Sequence, residues 1–283
     1  HMKQRTLKLQ RIYKEGSAYL ESRQIPDAQI DAWYLLEYVT GISRASYYGN
    51  PEKNISEEEA KRYWEYLEKR ARRIPLQHIT GSQEFMGLDF KVTENTLIPR
   101  GDTENIVEEV IATIENSGYN TVLDMCTGTG AIAISVAHYT KAKVTASDIS
   151  SKALEVAREN AKILNADVNF IESDLFENIN ETFDVLVSNP PYIESEVIPT
   201  LMEQVKDYEP MLALDGGKDG LDFYRNIINQ AKNYINKIGC IVFEIGYNQG
   251  GQVKSLLENT GFVNINVKQD LAGLDRLVIG FKL

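Results

Sequence analysis

The sequence predicts an α/β protein: a largely parallel seven-stranded sheet with helices on both faces, preceded by a small helical module. Three observations carry this. From residue 121 onward, short β-branched apolar runs alternate with amphipathic stretches, the rhythm of consecutive βαβ units. The first 75 residues lack that alternation and read as helical. Between the two, Gly81 and Gly87 punctuate short strand-like pieces such as 88–93, the pattern of a hairpin. The expected division is a helical module over 1–75, a β-hairpin linker over 76–99 and the α/β domain over 100–283.

In the helical module, Asp27 is placed to cap a helix through about Val39, with Gly41 ending it. Ser56-Glu57-Glu58-Glu59 has the form of a capping box, and its helix should run to Arg73, ahead of Pro75. Ten of the 26 aromatic residues precede position 80, among them Trp33, Tyr34, Tyr38, Tyr63, Trp64 and Tyr66. Most are expected to build this module's core, leaving a minority for a partner-binding face. Asp102 should open an amphipathic helix with apolar residues at 106, 107, 110, 111 and 114, ending near Gly118. Strands are then expected at 121–125, 143–147, 168–173, 183–188, 239–245, 263–269 and 276–282. Helices should fill 130–139, 150–164, 220–236 and 249–259. Too few residues separate the last two strands for a crossover helix, so they should pair as an antiparallel hairpin.

Composition narrows the function. Apolar residues make up 43% of the 283, enough for packed cores. No run approaches the roughly 20 apolar residues of a membrane span. The polar, charged N-terminus predicts no secretory leader. Two cysteines fit a reducing, cytoplasmic setting rather than a disulfide scaffold. With three histidines and no zinc-spaced Cys/His cluster, neither a metal centre nor a Ser-His-Asp triad is expected. Residues 1–80 carry 14 Lys+Arg against 11 Asp+Glu, whereas the remainder carries 16 against 30. A catalytic part with a net charge of −14 is poorly suited to wrapping a phosphate backbone, so no direct nucleic-acid partner is expected.

Two motifs carry the chemistry. The loop Asp124-Met125-Cys126-Thr127-Gly128-Thr129-Gly130-Ala131 follows the first strand of the α/β part and opens a helix. Its glycines allow a tight turn and close backbone approach, and the helix N-terminus offers free N–H groups. Asp148, ending the second strand, is placed to accept two ribose hydroxyls; a helix-cap role is the alternative, although Ser150 is at hand for that. Asp174 and Leu175 close the third strand, where they could meet an adenine ring or merely cap the strand. Gly128 to Ala133 also fits a dinucleotide fingerprint, but hydride-transfer machinery is missing. S-adenosylmethionine accounts for more, because it shares the adenosine and lacks a pyrophosphate. The second motif is Asn189-Pro190-Pro191-Tyr192, after the buried run 183–188. Two prolines stop the ladder and stiffen the backbone, leaving a carboxamide and an aromatic ring at the carboxyl end of a strand, where open α/β sheets place ligands.

These motifs, in this order, resemble a class I methyltransferase and, more narrowly, the PrmC/HemK family of release factor glutamine methyltransferases. The resemblance extends through Pro75-Leu76-Gln77-His78-Ile79-Thr80-Gly81, Phe85-Met86-Gly87-Leu88-Asp89-Phe90 and Leu97-Ile98-Pro99-Arg100-Gly101-Asp102-Thr103-Glu104. It implies a Rossmann-like sheet of order 3-2-1-4-5-7-6 and a substrate-binding role for the helical module over 1–75, which would share the release-factor surface with the catalytic part. It also implies S-adenosylmethionine as cofactor, S-adenosylhomocysteine as product, and the glutamine of the Gly-Gly-Gln loop of class 1 peptide chain release factors as substrate. Cofactor contacts then fall to Cys126, Thr127, Gly128, Thr129, Gly130, Asp148, Asp174, Leu175 and Asn189. Cys126 stands where the family often has glycine, and Leu175 where relatives often have an aromatic residue.

An amide nitrogen is a poor nucleophile, so catalysis must come largely from orientation. The Asn189 side-chain oxygen and the Pro190 carbonyl are each expected to accept one N–H of the glutamine amide. Pro191 would line the same substrate site, and Tyr192 is expected to close over the amide plane. Arg100 and Glu104 should position the substrate loop or brace the site, a structural ion pair being the alternative. The rival activity is methylation of an exocyclic amine of adenine or guanine, which would need a basic channel. Self-association is not expected.

Overall fold

A computed structural model describes residues 7–283, which fall into two compact units. The helical unit holds α1 (Leu9–Ser22), α2 (Ala28–Thr40), α3 (Arg44–Gly49), α4 (Glu57–Ala71) and α5 (Leu76–Thr80). A short excursion of the chain, residues 203–208, belongs to the same unit. The α4 capping box forms as expected, with Ser56 and Glu59 each accepting the other's backbone N–H. Asp27 occupies the N-cap position of α2 but its side chain makes no capping bond, contrary to expectation. Gly41 ends that helix in the left-handed conformation.

The unit's core gathers Trp33, Tyr47 and Tyr63 with Leu9, Ile12, Leu20, Leu35, Leu36 and Leu67. Tyr63 is fully buried and donates to the Ala32 carbonyl at 2.8 Å. Gly16 makes room for it: a Cβ there would sit 2.5 Å from the Tyr63 hydroxyl. The Arg70 guanidinium is buried against Asp31 at 2.9 Å and also donates to Ile74 O and Gln204 Oε1. Spreading its donors over three acceptors offsets much of the cost of removing that charge from water.

The second unit begins with the hairpin β1 (Ser82–Phe85) and β2 (Leu88–Lys91). The linker segment expected over 76–99 therefore opens with helix α5 and becomes a hairpin only at Ser82. A 3₁₀ turn at Gly101–Thr103 precedes α6 (Glu104–Ser117), so that helix starts two residues later than Asp102. There follow β3 (Thr121–Met125), α7 (Ala131–Tyr139), β4 (Lys143–Asp148), α8 (Ser151–Ile163), β5 (Val168–Glu172) and β6 (Phe183–Ser188). After the short helices α9 (Glu203–Lys206) and α10 (Met211–Leu214) come α11 (Asp222–Ala231), β7 (Ile235–Glu244) and α12 (Gly250–Asn259). The hairpin β8 (Val263–Gln269) and β9 (Asp275–Phe281) ends the unit.

The sheet runs β5-β4-β3-β6-β7-β9-β8, which is the expected 3-2-1-4-5-7-6 counted from its first strand. Only β9 runs against the others. Side chains alternate across it with period two. Val185, Val187, Cys240 and Val242 join α6 and α7 in one core. Leu186, Ile241 and Phe243 join α11 and α12 in the other. Each fully buried side chain of this kind is worth roughly 1.5–3 kcal/mol. Phe85 and Phe90 of the hairpin pack into the first core, edge to face at 6.0 Å.

One boundary moved substantially. The helix expected to 236 ends at Ala231, and β7 starts at Ile235. Ile235 pairs with Phe183, the register then shifts, and Cys240 pairs with Val185. The irregular stretch is fixed by Asn236 Nδ2 donating to Asp184 Oδ1 at 2.9 Å.

Candidate active site

All parallel strands deliver their carboxyl ends to one edge of the sheet, where a cavity of about 330 Å³ opens. Its size lies in the usual range for small-molecule sites. Beneath its floor lies Asp124, the fourth residue of β3, entirely buried. Asp124 Oδ2 accepts from Thr127 Oγ1 at 2.7 Å and from Ala133 N at 3.1 Å, tying the 126–130 loop to the start of α7. Burial drives its carboxyl up to about 7, with the two hydrogen bonds pulling the other way. Sequence reasoning placed Asp124 in the loop without giving it this role.

The loop takes the left-handed region at Cys126, Gly128 and Gly130. At Gly130 a Cβ would lie 2.9 Å from Ile134 Cδ1 and 3.3 Å from Ala157 Cβ, so glycine lets α7 and α8 approach. Gly128 faces open space instead. Cys126 adopts φ +65 with a side chain, a conformation costing roughly 1–2 kcal/mol in an L-residue. Burial, and then the Asp148 charge, push its thiol well above the usual range, so it stays protonated.

Asp148 ends β4 and lines the cavity. Its Oδ2 accepts Gly128 N and its Oδ1 accepts Ser150 N, both at 2.9 Å. Ser150 Oγ in turn caps α8 by accepting Ala153 N at 3.1 Å. The carboxylate thus holds the loop's backbone and keeps a lone pair on each oxygen for a ligand. Burial raises its pKa, and the backbone N–H groups oppose that rise. Beside it, Ser147 Oγ is buried against the cavity wall without a hydrogen-bond partner. Asp174 is exposed at the cavity and Leu175 sits beside it at φ +50. Ser173 shapes this turn, donating to Leu175 O at 2.7 Å and accepting Asn178 N at 2.9 Å.

On β6, Ser188 Oγ donates to Met125 O at 2.6 Å, locking the ends of the two central strands together. Asn189 follows, half-buried and lining the cavity, and its carboxamide makes no hydrogen bond to another described residue. Pro191 also lines the cavity, whereas Pro190 is buried behind it. Tyr192 differs from the expected lid. It does not line the cavity, and its hydroxyl donates inward to Glu244 Oε2 at 3.1 Å.

Arg100 lines the opposite wall and pairs with both oxygens of Glu209, at 2.5 and 2.7 Å. Glu209 is buried and also accepts Ile98 N at 2.9 Å, so the ion pair braces the wall. Glu104 lies away from the cavity: its Oε2 accepts Met86 N at 2.7 Å and holds the β1–β2 turn. Asn160, fully buried on α8, donates to Thr129 O and Lys91 O and accepts Lys91 N, joining the loop to the hairpin. Glu209, Glu244 and Asn160 gave no sequence signal, because each acts through a partner more than 30 residues away.

Sites built in this way on such a sheet are those of class I methyltransferases. A methyltransferase from Pyrococcus furiosus superposes with a TM-score of 0.54 at 21% identity, covering 76% of this chain and 98% of that one, a likeness of fold. Residues 11–81 match the PrmC N-terminal domain family and residues 107–216 the methyltransferase small domain family. The release factor glutamine methyltransferase of Clostridium acetobutylicum is 45% identical over 89% of this chain and 90% of its own length. That of Clostridium botulinum is 42% identical over 93% and 95%. The chain belongs to the release factor glutamine methyltransferase family and is an enzyme of that class.

Proposed function

We propose that this protein transfers a methyl group from S-adenosylmethionine to the side-chain amide nitrogen of the glutamine in the Gly-Gly-Gln loop of class 1 release factors. The observation that carries this reading is the unpartnered Asn189 carboxamide, fixed between a buried strand and two prolines at the cavity wall. The cavity suits the cofactor. Asp148 has spare lone pairs for ribose hydroxyls, Gly128 faces open space and so leaves room for close approach of a ligand, and Ile149, Leu175 and Ile132 supply apolar walls for an adenine ring. When bound, the cofactor supplies an electrophilic sulfonium methyl.

The chain's own part is positional. Asn189 Oδ1 accepts one N–H of the substrate amide and the Pro190 carbonyl accepts the other. Positive charge develops on the nitrogen as it reacts, and both acceptors hold it more tightly then than in the ground state. Pro191 lines the cavity wall beside Asn189. Arg100 acts through its pair with Glu209, keeping segment 97–100 in place. No strong general base is needed, since the methylated amide readily loses its proton to solvent. The helical unit, with Tyr34, Tyr38 and Tyr48 exposed, fits a protein-binding role.

No helix among the described residues is long and apolar enough to cross a membrane, and none of their side chains forms an acidic, His or Cys cluster suited to a metal. A cytoplasmic monomer acting on a soluble protein substrate is part of the same proposal. The test is to incubate the enzyme with methyl-labelled S-adenosylmethionine and either a release factor or nucleic acid. Label on the release factor supports the reading; label only on nucleic acid favours the exocyclic-amine alternative.

A further inference from the structure

We infer that Glu244 and Gln249 are positioning residues of the methyl-transfer site, acting through Tyr192 to hold the Asn189 carboxamide. The inference rests on the reading of Asn189 given above. Three independent contacts fix Tyr192. Its hydroxyl donates to Glu244 Oε2 at 3.1 Å, and Glu244 Oε1 accepts Thr103 Oγ1 at 2.5 Å. Its carbonyl accepts Gln249 Nε2 at 2.9 Å, while Gln249 Oε1 accepts Gly246 N at 2.8 Å. Its backbone is packed under two glycines. A Cβ on Gly216 would lie 2.8 Å from Tyr192 Cα, and one on Gly220 would lie 2.6 Å from Tyr192 O.

The register explains why these contacts matter to Asn189. Ser188 pairs with Phe243, so the next residues, Asn189 and Glu244, stand level at the carboxyl edge of neighbouring strands. The two prolines between Asn189 and Tyr192 leave little backbone freedom, and fixing Tyr192 therefore restrains the backbone from which the carboxamide projects. Glu244 and Gln249 are themselves buried, at 5% and 6% exposure, and neither lines the cavity. A fully buried carboxyl with both oxygens committed to hydroxyl donors, one from the cavity-lining Thr103 and one from the anchor tyrosine, is costly to keep for stability alone. Its placement ties two walls of the site together. Tyr192 is accordingly an anchor, not a lid.

The test uses the full-length enzyme carrying Glu244→Leu, Glu244→Gln, Gln249→Met or Tyr192→Phe. Three quantities are read: cofactor affinity by calorimetry, kcat and KM for the release factor, and hydrogen exchange at the Tyr192 and Ile193 amides. Glu244→Leu and Gln249→Met should lower kcat by at least about tenfold, the scale expected when a reacting group is displaced by a fraction of an ångström. Cofactor affinity should stay within threefold, and both amides should exchange faster. Glu244→Gln keeps an acceptor for the tyrosine and can satisfy Thr103 in reverse, so it should recover most of the turnover lost in Glu244→Leu. Should Glu244→Leu not fold, Tyr192→Phe removes the same bond from its other end and should show the same kcat loss. Wild-type kcat and exchange in the folded variants would overturn the inference, as would equal losses of kcat and cofactor affinity. If wild-type enzyme labels no release factor, the functional reading fails, while unchanged exchange at Tyr192 would still refute the anchor on its own.

Discussion

Replacing Asp148 by alanine separates the two tasks its carboxylate performs. In the free protein it accepts Gly128 N and Ser150 N, each at 2.9 Å, and so shapes the loop before any ligand arrives. Hydrogen bonds to a charged group contribute roughly 1.5–3 kcal/mol each. Burial of the carboxylate, which raises its pKa, offsets part of that sum. The cavity also admits water to the abandoned N–H groups, so stability should fall by only about 1–3 kcal/mol, measurable by urea denaturation. Binding is a separate loss. Charge-assisted bonds to ribose hydroxyls disappear and the loop is less well ordered, together about 1.5–3 kcal/mol, or roughly 10- to 150-fold in Kd. Asp148→Asn sharpens the comparison. One carbonyl oxygen can keep one of the two N–H partners, so the asparagine variant should lose less stability than alanine yet still bind the cofactor weakly. Calorimetric titration with S-adenosylmethionine decides the matter. Affinity within twofold of wild type in Asp148→Ala would refute the ribose assignment.

Asp124 should impose a pH dependence on stability. Its carboxyl is raised from 3.8 to about 7, so the stability it contributes is fully present below about pH 4 and is lost as pH rises through 7. The gap in unfolding free energy between wild type and Asp124→Asn should therefore shift toward the variant by a few kcal/mol between pH 4 and pH 8. A gap independent of pH, in parallel urea melts, would show that the buried carboxyl is not titrating there. Asn189→Ala should abolish methyl transfer while leaving cofactor affinity within a few-fold, and equal turnover of mutant and wild type in a labelled-methyl assay would remove Asn189 from the mechanism. Gly130→Ala, at φ +82 and with Ile134 Cδ1 2.9 Å from the new Cβ, should cost about 1–3 kcal/mol of stability, and a variant melting with wild type would show that the loop relaxes freely.

Much of the α/β unit could be read from residue order because its signals are local. The strands at 121–125, 183–188 and 263–269 are apolar or alternating runs bounded by turn residues, and they form where expected. The sheet order came from family resemblance, which local patterning alone does not provide. Where reading failed, long-range contacts prevailed. Ile235 and Ile238 continue the helical spacing of α11, yet Ile235 is captured by Phe183 across the sheet and Ile238 is left exposed in the irregular stretch that follows. Asp27 has the right chemistry for a cap and a backbone that does not use it. The cavity walls followed the same division. Cys126 to Thr129, Asp148, Asp174, Leu175, Asn189 and Pro191 are contiguous with strand ends and converge on the cavity, whereas Gly130 turns toward α7 and α8 instead. Tyr192 turns away from its expected lid position, and Glu104 serves the hairpin turn rather than the cavity, because nothing local reveals that Glu244 and Met86 N draw them there.

The most direct measurement is mass spectrometry of a class 1 release factor after incubation with this enzyme and S-adenosylmethionine. One added methyl group on the glutamine of the Gly-Gly-Gln loop, absent when Asn189→Ala replaces wild type, is the predicted result. An unmodified glutamine with folded, cofactor-binding enzyme, or the methyl group on another residue, would contradict it.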